Sequence, residues 1–330
     1  MKPSYVSPIM EKVARRLGVT IHIEPKYGYV GQVLLPDGRT RYFRNTNFDL
    51  NLLGASEIAR DKGYATYFLK HMGYPIPVGD AFFTTRWCKA IGSRRTPLMA
   101  YRYARRLGFP VIVKPNSKSQ GSGVAKVWNK REFLQAVRAL EKGERVFLVE
   151  KIAPGNDYRI VVLDGRIISA YQRIPLSVVG DGRSTITALL RRKQLEFKHV
   201  GRDTVLKPAD VRISRTLTHL GLTRRSVLPK GERVFLLANA NLSTGGDAVD
   251  VTHELHAGWR KLTKRLARDM NLRYVGIDVM VEGTLSEAPG RYGVLEVNAA
   301  PGLDNYAAMG KQQERLVEDM YEDVLRAMLR

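Results

Sequence analysis

Two apolar runs near the carboxyl end of the 330-residue chain constrain its fold more than any other feature. Residues 274–281 and 292–297 are short, largely apolar and separated by a polar stretch, which predicts neighbouring strands of a buried sheet. The first run carries Asp278, and the second carries Glu296 and is followed by Asn298. Because side chains alternate along a strand, Glu296 and Asn298 lie on one face.

These three oxygen-bearing side chains predict a metal site. Carboxylate and amide oxygens suit Mg²⁺, a hard cation that takes few protein ligands and completes its shell with water and phosphate. The same residues would also fit a buried strand pair with acids at its ends. The rest of the chain has to separate the two interpretations.

The composition indicates a soluble globular protein with anionic ligands. The net charge is +22, which either nucleic acid or acidic substrates would explain. Basic residues occur as scattered doublets, such as Arg94-Arg95 and Arg224-Arg225, rather than in one arm or patch. This distribution favours acidic ligands, combined with a general bias towards arginine, over nucleic acid.

The sequence has neither an apolar run of membrane-spanning length nor an apolar signal-peptide core at its start. The one cysteine, Cys88, excludes an internal disulfide and a multi-cysteine metal site. We therefore expect a cytoplasmic protein that does not insert into a membrane.

A glycine- and serine-rich loop lies between two predicted strands in the first half of the chain. The strand at residues 111–115 contains Lys114, and the loop that follows includes Gln120, Gly121, Ser122 and Gly123. Glycines allow backbone N–H groups to approach phosphate oxygens closely. The loop is not a P-loop, because a second strand follows it instead of a helix. A phosphate-covering flap and an ordinary turn both fit, and Lys114 favours the flap.

Residues 145–150 predict a further strand, after which the chain turns at Pro154-Gly155. The exposed backbone after such a strand can bind adenine, and an acid further on, such as Asp157, can bind ribose hydroxyls. By contrast, residues 82–95 indicate only a polar, basic connector.

A long stretch, residues 175–250, separates the strands at 158–174 from the helix that begins near residue 254. It contains a basic helix from Thr185 and otherwise indicates loops, which at this length form lids or binding surfaces. Within it, Ser243, Gly245 and Gly246 belong to a segment that predicts either an anion-binding nest or a turn.

Taken in order, these features resemble the ATP-grasp superfamily of carboxylate–amine ligases, and in particular the ATP-grasp region of cyanophycin synthetase. The resemblance covers about residues 52 to 303 and is carried by LLGASEIARDK, VIVKP, VEKIAPGNDYRIVVLDGRI, VVGDGRSTI, NLSTGGDAVDVTHELH, VGIDVM and LEVNAAPGL. It implies an α+β ATP-grasp fold in three parts. These are a small N-terminal mixed domain (residues 1–95), subdomain A with the flap (96–153) and subdomain B with the metal site (154–330). The nucleotide would lie between the two subdomains.

The resemblance also implies a role for each candidate residue. The phosphates of ATP would contact Lys62, Lys114 and the flap residues 120–123. The adenine base would lie against Glu150, Lys151 and Ile152, and the ribose would lie against Asp157. The implied ligands of two Mg²⁺ ions, with Mn²⁺ as an alternative, are Asp278, Glu296 and Asn298. The candidates for oxyanion stabilisation or for binding the substrate carboxylate are Arg159 and Arg173. The candidates for other substrate contacts are Ser243, Gly245, Gly246 and His256. A lone histidine on a helix, however, is more often structural or exposed.

The implied reaction forms an amide or peptide bond. A substrate carboxylate attacks the γ-phosphate of ATP, and an amine then displaces phosphate from the acylphosphate. The expected carboxylate belongs to an amino acid, a peptide or an acidic polymer, and the expected amine to an amino acid. Glutathione-type and glutamate-adding ligases remain open within the class, and a homo-oligomer is expected.

Some departures limit the resemblance. Cyanophycin synthetases continue into a second ligase domain, whereas this sequence ends at Arg330, so we expect that this chain does not alternate two ligation reactions. Leu237 stands where that family often has an arginine, and Gly276 stands where D-alanine–D-alanine ligases have one. The alternative from another class is a nucleic-acid or acidic-peptide binding protein on a degenerate ATP-grasp scaffold.

Overall fold

A computed structural model describes residues 4–118 and 121–330, which form a mixed α/β structure with three antiparallel sheets of four or five strands and one small two-stranded sheet. The α-helices are α1 Val6–Leu17, α2 Leu53–Arg60, α3 Lys62–His71, α4 Thr85–Ile91, α5 Pro97–Leu107, α6 Lys130–Glu141, α7 Ile186–His199, α8 Val211–His219, α9 Ala257–Asp269, α10 Asp304–Ala307 and α11 Lys311–Met328. The strands are β1 Ile21–Ile23, β2 Val30–Leu34, β3 Thr40–Arg44, β4 Asn47–Phe48, β5 Gly79–Phe83, β6 Val111–Pro115, β7 Ala125–Val127, β8 Val146–Lys151, β9 Asn156–Leu163, β10 Arg166–Ile174, β11 Ser177–Val179, β12 Arg233–Phe235, β13 Asp247–Asp250, β14 Tyr274–Val281 and β15 Tyr292–Asn298. No helix of these described residues is long and apolar enough to cross a membrane.

The first sheet has the order β1-β2-β3-β4 and packs against α1 and α11. Helix α1 buries Ile9 and Val13, which lie four residues apart on one face, and the Asp37-Gly38 turn joins β2 to β3. The C-terminal helix α11 completes this core with Val317. The two ends of the chain therefore stabilise one another.

The second sheet has the order β5-β8-β6-β7 and is covered by α5 and α6. Its presence corrects the prediction for residues 82–95, which form the end of β5 and the helix α4 rather than a connector. The strand β5 pairs along its whole length with β8, which lies far away in the sequence. Long-range pairing of this kind leaves no periodic signal in so short a strand.

The third sheet has the order β13-β10-β9-β14-β15, and its two faces have different environments. One face is apolar and packs against α9, whose Trp259 is fully buried. The other face continues into the core of the first sheet at one end and bears charged side chains at the other. The alternation of side chains along each strand separates these two environments.

Residues 175–246, termed the insert below, connect β10 to β13 and have a core of their own. The sequence predicted mainly loops here around one helix. The structure instead packs β11, β12, α7 and α8 together, and the apolar Ile213 and Leu217 of α8 lie four residues apart on its buried face.

Gly155 lies in the turn between β8 and β9, and we expect Gly155→Ala to destabilise the protein. Its φ of +106° disfavours any L side chain, and a Cβ atom there would overlap the backbone carbonyl of Val281. We expect a loss of about 2 to 4 kcal/mol in the free energy of unfolding, from backbone strain and overlap together. Denaturant unfolding measures this loss.

The matched control is Gly143→Ala, because a Cβ atom on Gly143 would have no heavy atom within 4 Å and the residue has no positive φ. This substitution should change stability by less than about 1 kcal/mol. Equal effects at Gly143 and Gly155 would contradict the prediction.

Candidate active site

A cavity of about 1570 Å³ opens between the second and third sheets and extends to the first. Parts of the chain that are distant in sequence form its wall, including the ends of β6, β8, β9 and β15 and the insert. The predicted site residues that line it are Lys62, Lys114, Gly121, Glu150, Lys151, Ile152, Asp157, Arg159, Arg173, Ser243, Asp278, Glu296 and Asn298.

The third sheet brings its polar residues together through strand register. Arg159 on β9 lies between Tyr171 on β10 and Asp278 on β14, and Asp278 lies opposite Glu296 on β15. Asn298 is two residues beyond Glu296 and therefore shares its face. The result is a row of polar side chains across four strands, in the order Tyr171, Arg159, Asp278 and Glu296.

Arg159 forms a bidentate ion pair with Asp278 in this row. Its Nε and Nη2 atoms donate to the two carboxylate oxygens at 2.7 and 2.8 Å, and the Arg173 Nη2 atom lies 3.0 Å from Asp278 Oδ2. Burial opposes the ionised form of Asp278, but the two arginines outweigh it and hold the pKa of this carboxyl below its ordinary value. The carboxylate is therefore charged at neutral pH.

Arg173 also pairs with Asp157, the predicted ribose ligand, at 2.6 Å. Burial raises the pKa of the Asp157 carboxyl, because Arg173 offsets only part of the cost of desolvation. Both arginines have raised pKa values: burial alone would lower them, and the neighbouring carboxylates more than compensate.

Glu296 lies at the edge of this row and faces the cavity. Lys62 Nζ lies 3.2 Å from its Oε1 atom and also donates to the carbonyl of Lys118 at 2.9 Å. Lys62 is the first residue of α3, which Asp61 caps, so the start of that helix fixes its position. The amide of Asn298, in the orientation that satisfies both neighbours, donates to Glu296 at 3.0 Å and accepts from Arg159 at 3.2 Å.

A second ion pair joins Lys114 to Glu150 on the adjacent strands β6 and β8, with Nζ and Oε2 2.8 Å apart. Both side chains are nearly buried, so each needs the other to offset its desolvation. The backbone of Gly79 on β5 lies against Glu150, because a Cβ there would meet its Cγ at 2.5 Å. This contact fixes the strand that leads to Lys151 and Ile152.

The oxygen donors fit a hard cation. Among the described residues, Asp278 Oδ1 receives one guanidinium N–H, so it retains a lone pair, and Glu296 and Asn298 add oxygens from the opposing strand. The same residues contain no group of three histidine, cysteine or acidic side chains placed to enclose a metal. The set suits an ion that phosphate oxygens and water also ligate.

Several predicted contacts lie away from this wall. Ser122 and Gly123 follow Gly121 in the loop but are not part of the lining, and Gln120 lies outside the described residues. Gly245 and Gly246 lie behind Ser243 in the turn, where a Cβ on Gly245 would overlap Leu206. His256 is exposed and caps α9 by accepting a hydrogen bond from the backbone N–H of Gly258. It lies away from the cavity, because α9 packs on the face of the third sheet opposite to the cavity.

The cavity wall also contains residues that the sequence did not single out. Lys118 follows β6, and Asn239 and Asn241 precede the Ser243 turn; Tyr171 and Tyr306 stack with their ring centroids 4.5 Å apart. Alternation within β10 could have placed Tyr171 beside Arg173, because the two residues are two positions apart. Tyr306 lies in the short helix α10, and Lys118, Asn239 and Asn241 lie in irregular segments that carry no such signal.

Comparison with known proteins gives agreement in sequence and in fold. Residues 71–181 match the family model of the D-ala D-ala ligase C-terminus. Cyanophycin synthetase of Trichormus variabilis is 34% identical over 281 residues, covering 82% of this chain and 29% of that protein. The glutathione biosynthesis bifunctional protein GshAB of Streptococcus mutans is 28% identical over 245 residues, covering 72% of this chain and 30% of that protein.

A solved structure agrees over almost the whole chain. The crystal structure of a bifunctional glutathione synthetase from Pasteurella multocida superposes with a TM-score of 0.59 at 23% identity, covering 98% of this chain and 44% of that one. The chain spans about three tenths of the length of the curated relatives it matches. With this fold and these sequence matches, the chain belongs to the ATP-grasp superfamily, and over most of its length it is similar to cyanophycin synthetases.

Proposed function

We propose that this protein is an ATP- and Mg²⁺-dependent ligase that joins a carboxylate to an amine through an acylphosphate. The observation that carries the proposal is the convergence of Lys62, Lys114, Arg159, Asp278 and Glu296 on one cavity. Cationic side chains and metal-ligating oxygens around one space are what phosphoryl transfer to a carboxylate requires.

The cavity is large enough to hold ATP together with the substrates of the ligation. Sites for one small molecule usually have about 300 to 1,000 Å³, and this cavity has about 1570 Å³. ATP would lie against Lys151 and Ile152, with its phosphates near Lys62 and Lys114. The remaining space, towards the insert and the first sheet, would hold the carboxylate and the amine.

The chain's own residues would act in both steps. The lysines would orient the phosphates for in-line attack, and Asp278, Glu296 and Asn298 would hold Mg²⁺, which supplies Lewis-acid neutralisation of phosphate oxygens. Arg159 and Arg173 would orient the substrate carboxylate and then stabilise the oxyanion of the acyl-transfer step. Two Mg²⁺ ions, or Mn²⁺ in their place, complete the proposal.

We propose an amino acid, a short peptide or an acidic polymer as the carboxylate substrate, because the net charge of +22 would attract an anion. Cyanophycin synthetases and the glutathione-forming GshAB proteins are the relatives that support an amino acid as the amine. A cytoplasmic homo-oligomer is part of the same proposal.

The test is substrate-dependent ADP release. Protein, ATP and Mg²⁺ are mixed with pooled amino acids and short acidic peptides, and we expect ADP and phosphate to form only with pools that contain both substrates. Mass spectrometry of the active pool then identifies the product. Absence of ADP from every pool, together with tight, salt-sensitive DNA or RNA binding, would support the nucleic-acid-binding alternative instead.

A further inference from the structure

Helix α8 of the insert presents a basic face to the second sheet. Arg212, Arg215 and His219 lie at positions i, i+3 and i+7 of this helix and therefore share one side. Ile213 and Leu217, on the other side, are buried in the core of the insert. The helix is thus fixed on one side and free to make polar contacts on the other.

The first contact is with the segment that follows Lys114. Arg212 Nη1 donates to the carbonyl oxygen of Gly121 at 3.4 Å, while its Nη2 atom pairs with Asp210 at 2.7 Å. Gly121 also lies tightly against the insert, because a Cβ there would be 2.5 Å from side-chain atoms of Asn239 and Asn241. Its φ of +66° makes glycine the favoured residue on conformational grounds as well.

The second contact lies just beyond β7. The ring of His219 stacks on Trp128 with centroids 4.0 Å apart and planes at 18°. Glu132 contacts both residues. Its carboxylate lies 2.8 Å from His219 Nε2 and accepts a hydrogen bond from the backbone N–H of Trp128 at 3.0 Å. Arg215 adds a hydrogen bond to Gln135 at 3.3 Å.

The two contacts hold residues 121–128 at both ends. In the chain, α8 belongs to the connection between β10 and β13 of the third sheet, whereas residues 121–128 contain β7 of the second sheet. The helix therefore bridges the two sheets that enclose the cavity, beside the loop that the sequence predicted as a phosphate flap.

We propose that Arg212 and His219 are positioning residues that hold the Gly121 segment, residues 121–128, over the β- and γ-phosphates of bound ATP. The phosphate part of this inference rests on the proposed function. Because the contacts originate in the insert, they link the wall of the substrate space to the phosphate site.

The experiment compares Arg212→Ala and His219→Ala with Arg225→Ala, which removes an exposed arginine of the same insert. Calorimetry gives the affinity for AMP and for the ATP analogue AMPPNP, each with Mg²⁺. We expect the first two variants to bind AMPPNP about tenfold more weakly, the effect of about 1.4 kcal/mol, with unchanged AMP affinity. Arg225→Ala should match the wild type in both.

Hydrogen exchange without nucleotide provides an independent measurement. We expect faster exchange at amides of residues 121–128 in Arg212→Ala and His219→Ala than in Arg225→Ala. His219→Phe keeps an aromatic ring on Trp128 and should restore most of the protection.

The outcomes separate the two proposals. Unchanged exchange in both variants, or equal losses of AMP and AMPPNP affinity, would overturn the positioning role. If the wild type binds neither nucleotide, the proposed ligase function fails, and the exchange rates still decide whether α8 holds the segment.

Discussion

Replacing Glu296 with glutamine should reduce substrate-dependent phosphate release by roughly a thousandfold while leaving the fold intact. A Lewis-acid metal stabilises the transferring phosphoryl group by several kcal/mol, and each ~1.4 kcal/mol changes the rate about tenfold. Glutamine keeps the size of the side chain but lacks the negative charge that the cation needs. The measurement is kcat for ADP formation at saturating ATP and Mg²⁺.

Two controls make this result interpretable. Glu57→Gln removes an exposed carboxylate on α2 that pairs with the exposed Arg60, and it should leave kcat unchanged. Thermal unfolding of Glu296→Gln should stay close to the wild type, because Lys62 keeps its hydrogen bond to the Lys118 carbonyl. Turnover retained by a folded Glu296→Gln protein would falsify the metal role.

Replacing Arg159 with methionine should destabilise the protein by about 3 to 5 kcal/mol, the cost of leaving a buried charge without its partner. Asp278 would lose a bidentate contact at 2.7 and 2.8 Å and keep Arg173 at 3.0 Å. The side chains of Arg159 and Asp278 are only 14% and 6% exposed, so water cannot replace the contact. Chemical denaturation measures the loss.

Arg273 provides a matched comparison just beyond the other end of the β9–β14 pair. It makes a bidentate pair with Asp164 at 2.7 and 2.9 Å, but these side chains are 42% and 30% exposed. Arg273→Met should therefore cost less than about 1 kcal/mol. The double variant Arg159→Met/Asp278→Asn should be less destabilised than the sum of its single changes. Equal costs at positions 159 and 273 would show that burial does not control the effect.

Local patterns in the sequence were sufficient for several regular elements. The apolar runs predicted β14 and β15, and residues 111–115 and 145–150 predicted β6 and β8. These signals work because burial of one face requires a fixed period along the chain. The short β5 and α4 were missed, since β5 is defined by its pairing with β8 and α4 spans about two turns.

The insert shows a different limit. Its residues predicted loops because the apolar positions of α8, β11 and β12 are few and far apart in sequence, and each element alone buries little surface. Together they form a core that includes Leu176, Ile186 and Leu236. Only their packing stabilises these elements, and isolated helices as short as α8 are marginal in water.

The sequence alone determined the residue types of the candidate site and their faces: Glu296 and Asn298 on one side of a strand, and Lys114 at a strand end beside a glycine loop. The tertiary structure decided the partners. Arg159 reaches Asp278 across 119 residues of chain, and His256 caps α9 on the opposite side of the sheet from the cavity. Alternation along a strand is set locally by backbone geometry, whereas register between strands is set by the packing of the whole sheet.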